Sequence, residues 1–190
     1  MKRFRKFTAL LMAMVMVLAM GVTSFAAEKT QPTLTIGGEE VSYTMPSTNL
    51  YPDIPDNAEN KGEITAADIL LEYAVENYGQ SVADQMASGL LACDYDQNYV
   101  NEEGEAGLYI SKYLGQDTVN NYTFISYDEI TGLYTYQWTG AYWSLTIDGE
   151  YASSYATAYK ASDIDSIDFT HVEDNVGYTF TTPYEIPDAN

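Results

Sequence analysis

The sequence predicts an α+β fold, an antiparallel sheet or two small sheets packed on one main helix. Three observations carry this: one strongly capped helix pattern near residue 70, short alternating apolar runs after residue 107, and a β-turn dipeptide at Asp148-Gly149. A basic and then apolar leader stands in front of them. Lys2, Arg3, Arg5 and Lys6 precede an apolar run over residues 7–22. Ser24-Phe25-Ala26 then puts small side chains where a signal peptidase needs them, so residues 1–26 read as a cleaved signal peptide. The apolar run is short for a bilayer span of about 20 residues. The remainder reads as a single domain over residues 27–185, with residues 186–190 as a frayed tail.

The first expected element is a hairpin, TLTI and EEVSYTM joined at Gly37-Gly38. Residues 46–62 hold Pro46, Pro52 and Pro55 among Asn and Asp, which suits a loop. Thr65 with Asp68 three residues on forms an acidic capping box, and Ile64 and Ile69 flank it at the staple positions. Ile69, Leu70, Tyr73, Ala74 and Tyr78 give that helix one apolar face, and Gly79 ends it. Ser81 with Asp84 starts a second, shorter helix expected to reach about Leu91.

From Gly107 the chain reads as β-structure: GLYISKYLG, NYTFISYD and LYTYQW. Thr139-Gly140 reads as a tight connection to AYWSLTI, and Asp148-Gly149 suits a type I′ turn. IDSIDFTH and VGYTFTTP are the two closing segments.

Composition narrows the function. Beyond the leader only Lys29, Lys61, Lys112 and Lys160 stand against all 28 acids of the chain, a field that repels nucleic acid and anionic lipid. It favours basic partners or cations. Cys93 is the only cysteine, so no internal disulfide exists and a buried core must hold the domain. With 18 tyrosines the chain has aromatic surface to spare, which argues against disorder despite its charge. One histidine, His171, and no nucleophile motif argue for a non-enzymatic protein. Asp94, Asp96, Asn98 and Glu105 stand at positions 1, 3, 5 and 12 of a loop, the spacing of oxygen ligands in a calcium-binding EF-hand. Tyr99 occupies the sixth position, where that loop needs glycine, so an exposed acidic loop is the competing reading.

The densest signal lies in residues 138–171. TAADILLEYA (residues 65–74), GLYISKYLG (107–115) and YWSLTIDGEYASSYATAYKASDIDSIDF (142–169) follow in an order that resembles the transcobalamin-like C-terminal domain. Tyr142-Trp143-x-Leu145 is similar to that family's Tyr-Trp strand and Ile147-Asp148-Gly149-Glu150 to its Asn-Gly turn. Tyr159, Ile164 and Ile167 resemble its closing strand, while Ser162-Asp163-Ile164-Asp165 lacks the family's glycine before it. The resemblance implies an exported binding domain of bacterial cell-surface type. It also implies a cobalamin-like corrinoid as candidate ligand and a separate helical partner to complete the site. Wall polymer or protein gripped by surface tyrosines, a structural or adhesion role, is the alternative. Trp138, Tyr142, Trp143 and Tyr136 are the candidate contacts, since flat rings suit corrinoid, sugar or peptide. Trp143 is expected to fill the core against the main helix, with Trp138 and Tyr142 sharing an outer face.

Overall fold

The structure is a computed structural model that describes residues 31–187; the expected signal peptide lies outside the described residues. The fold is α+β. β1 (Thr33–Ile36) and β2 (Glu39–Val41) are the expected hairpin, and α1 (Ala66–Tyr78) and α2 (Val82–Ser88) follow the loop. β3 (Ala92–Val100), β4 (Ala106–Tyr113) and the two-residue β5 (Gln116–Asp117) form a small sheet. β6 (Val119–Asp128), β7 (Leu133–Ile147), β8 (Glu150–Tyr151) and β9 (Ser166–Thr182) join β1 and β2 in a second, in the order β2-β1-β9-β7-β6, with β8 also on β7. Among the described residues no helix is long and apolar enough to cross a membrane.

Local chemistry explains α1. The backbone amide and the hydroxyl of Thr65 both donate to Asp68 Oδ2, each at 2.9 Å, and Gly79 closes the far end in the left-handed region at φ 64°. Ile69, Leu70, Leu71 and Ala74 are buried with Leu34, Leu108, Ile110, Ile167 and Phe169 in one core. The Tyr113 hydroxyl crosses that core to donate to the Leu70 carbonyl at 2.7 Å. The second capping box also forms, with Ser81 Oγ 2.7 Å from Asp84 Oδ2. Its helix stops at Ser88, before the expected Leu91, because Gly89 turns left-handed at φ 74°.

Four expectations change. Among the named strands every pairing is antiparallel except one: β1 runs parallel to β9, with Leu34 opposite Ile167. The acidic segment expected as a loop lies instead on strand β3 as far as Val100, paired to β4 over Ala92–Tyr95 and again at Val100, with a turn from there to Glu105. Thr139-Gly140 makes no turn; β7 runs through it for 15 residues. The discontinuity is on β9, where residues 175–177 bulge out opposite Thr139 between the pairs Trp138–Tyr178 and Gly140–Asp174. Asp174 Oδ1 accepts the amides of Val176 and Gly177 at 3.0 and 2.7 Å and shapes that bulge. A Cβ on Gly177 would collide with the Trp138 carbonyl, and one on Gly140 with the Val119 carbonyl, so both glycines permit close backbone approach. Finally Ile186, the first residue of the expected frayed tail, has its amide 2.9 Å from the Tyr136 hydroxyl, while residues 188–190 lie outside the described residues. The Asp148-Gly149 turn is as expected, with both residues at positive φ (52° and 83°).

Candidate functional site

A cleft of about 530 Å³ lies between the two sheets and opens to solvent. β7 supplies Tyr142, Trp143, Ser144 and Leu145 to its wall, and β4 supplies Leu108, Tyr109 and Ile110. The segment from β8 onward adds Tyr151, Ser153, Ser154 and Tyr155; Tyr99 of β3 and Phe169 of β9 complete it. No charged side chain lines it, in a chain with 28 acids.

Each ring is positioned by its own contact. Trp143 stacks on Phe169 at 4.8 Å and meets Tyr113 edge-on at 5.2 Å, and its Nε1–H donates to the Gln116 carbonyl at 3.0 Å. Tyr155 lies against β4 because residue 107 is glycine; a Cβ there would run into the Tyr155 ring. Its hydroxyl donates to Asp96 Oδ2 at 2.9 Å, and burial, followed by that hydrogen bond, pushes its pKa up to about 12. Tyr109 meets Tyr155 edge-on at 6.1 Å and is itself exposed. The Tyr159 hydroxyl accepts the Ser153 amide at 2.9 Å and holds the loop that carries the serines. The result is a concave aromatic wall edged with hydroxyls, suited to holding an uncharged surface.

Of the four aromatic candidates named from sequence, Tyr142 and Trp143 line this cleft and Trp138 and Tyr136 do not. Trp138, expected on an open face, is only 8% exposed, while Trp143, expected in the core, is half-buried. Trp138 does share a face with Tyr142, at 6.2 Å between rings, but Tyr178 of β9 covers it at 5.4 Å. Its Nε1–H donates to Asn120 Oδ1 at 2.9 Å. Tyr136 is 1% exposed, in a cross-strand row with Phe124 and Phe180. Tyr99, Tyr109, Tyr151 and Tyr155 belong to the site and were not singled out; tyrosine abundance alone pointed toward them.

The oxygen-rich residues are placed on β3 and its turn. Asp94 Oδ1 accepts the Tyr51 hydroxyl at 3.2 Å, Asp96 Oδ1 the Asn98 amide at 2.9 Å, and Glu105 Oε2 the Asn101 amide group at 3.1 Å. Among the described residues no three histidine, cysteine, aspartate or glutamate side chains gather as a metal site. His171 sits on β9 beside Trp143, and its Nε2 is 2.9 Å from the Asp117 carbonyl, an acceptor that keeps a proton on that nitrogen.

Cys93 is buried in the core, and burial, aided by Asp94, pushes its thiol up to about 12. A group held protonated well above its ordinary value supplies little thiolate at pH 8. Native protein should therefore react with a disulfide reagent at least about a hundredfold slower than protein in urea; equal rates would show that Cys93 is accessible.

No family model, no curated protein and no solved structure matches the chain.

Proposed function

We propose that the chain is an exported, non-enzymatic binding protein, acting outside the cell or at its surface, whose ligand enters the aromatic cleft beside Trp143. The uncharged lining is the observation that carries this reading. In a chain of 28 acids and eight bases, a concave surface with seven rings, three serines and no charge favours an uncharged occupant. A cobalamin-like corrinoid is the candidate that the sequence resemblance supplies. The cleft is open on one side, so it would enclose part of such a ligand, and a separate helical protein would cover the rest.

The two tryptophans make a direct test. Trp143 lines the cleft and Trp138 does not. Titration with cobalamin and with cobinamide should quench fluorescence in Trp138→Phe, which keeps Trp143. Trp143→Phe, which loses the indole from the cleft wall, should bind about tenfold or more weakly than Trp138→Phe. Equal affinity in both variants, or no quenching at high micromolar ligand, rejects a corrinoid in this cleft.

A second reading, adhesion through tyrosines, is favoured by a different surface. β6, the first half of β7 and the last half of β9 carry aromatic cross-strand rows: Tyr122, Trp138 and Tyr178; Phe124, Tyr136 and Phe180; Tyr127 and Tyr134. Phe124, Tyr127 and Tyr178 are exposed. Such a sheet face suits a polymer or protein partner.

A further inference from the structure

The cleft coincides with an interruption in the larger sheet. β9 pairs with β7 from Tyr134 to Ile147 and so occupies one edge of that strand throughout. β6 takes the opposite edge only as far as Ala141, and β8 resumes it at Thr146. Residues 142–144 have no backbone pairing on that edge, and together with Leu145 they line the cleft. The Leu145 carbonyl accepts the Ala152 amide at 3.0 Å, which extends the β7–β8 pairing by one residue and shows that Leu145 turns its backbone groups to this edge. Antiparallel alternation directs the backbone N–H and C=O of Trp143 to the same side.

We propose that the cleft binds an extended polypeptide segment by strand addition, seating about three of its residues on β7 between β6 and the segment that follows β8. This rests on the cleft being the binding site and names the class of ligand. An added strand gives hydrogen-bonding partners to the edge that a flat ring would cover without pairing. At about 3.3 Å per residue, about three residues span the interruption. Alternate side chains of the segment fall toward the Trp143–Leu145 face and the Tyr142–Ser144 face. Both are uncharged, so the centre of the segment is uncharged too. The chain's excess of acids favours a segment with lysine or arginine on its flanks.

The probe is the nine-residue peptide Lys-Lys-Val-Thr-Val-Thr-Val-Lys-Lys with two analogues, one N-methylated on its valines and one on its threonines. Only alternate residues of an added strand present their amides to β7. One analogue should therefore lose about tenfold or more in affinity while the other stays within about twofold of the parent. The Trp143 backbone amide should shift in NMR spectra with the parent peptide, and Tyr109→Ala should weaken binding. Equal binding of both analogues, or parent binding without a Trp143 shift, overturns strand addition. If no peptide binds but a flat ligand still quenches Trp143, peptide recognition fails and the cleft reading stands. If neither class reaches Trp143, both fail.

Discussion

Trp138→Ala should destabilise the protein by about 3–5 kcal/mol in urea denaturation, the cost of removing a large buried ring, while leaving capture at the cleft unchanged. The ring is covered by Tyr178, its indole N–H is held by Asn120, and its carbonyl faces the bulge glycine Gly177. Truncation therefore removes the packing where β6 and the far half of β9 meet β7, and leaves Asn120 without its donor. Hydrogen exchange should rise first in β6, an edge strand whose side chains are otherwise mostly exposed. Unchanged stability in Trp138→Ala would mean that Tyr178 and Asn120 do not hold this ring in solution.

The difference in exposure between Trp138 and Trp143 marks where the sequence stops being informative. Strand parity put Tyr142 and Trp143 on opposite faces, and the Trp138–Tyr142 ring contact agrees with that spacing. Parity does not say which face another element covers. That depends on β9, whose last residues return past a bulge to lay Tyr178 on Trp138. Thr139-Gly140 looks like a turn for a similar reason: a glycine needed for close backbone approach reads the same as one needed for a bend. β3 was hidden by its own composition, because aspartates at alternate positions are poor strand formers until tyrosines from elsewhere use them as acceptors. By contrast, the start of α1 and the Asp148-Gly149 turn were legible, since the chemistry that sets each lies within four residues. The cleft was half legible. Tyr142 and Trp143 stood out as a pair, but Tyr99, Tyr109 and Tyr155 join them only through sheet pairing and the space left by Gly107.

Asp68→Ala should cost about 3–4 kcal/mol, through several buried donors losing one charged acceptor at once. Asp68 is 4% exposed, and its carboxylate serves two segments. Oδ2 accepts the Thr65 amide and hydroxyl and the Asn49 amide group at 3.0 Å, and Oδ1 accepts the Leu50 amide at 3.1 Å. The residue that caps α1 thus also fastens the proline-containing loop over the helix start. Thr65→Ala, which removes one of these donors and keeps the carboxylate, should cost about 1 kcal/mol. Asp68→Asn should fall between them, because an amide carries only one acceptor oxygen. Whichever way it is turned, its NH₂ faces either Leu50 or the Thr65–Asn49 group. A loss of this size should lower the melting temperature by roughly 10 °C in Asp68→Ala and speed proteolysis within residues 46–62. Equal losses in Thr65→Ala and Asp68→Ala would mean that the carboxylate only caps the helix. The larger loss, together with faster cleavage of the loop, identifies Asp68 as the tie between the loop and the core on which the cleft is built.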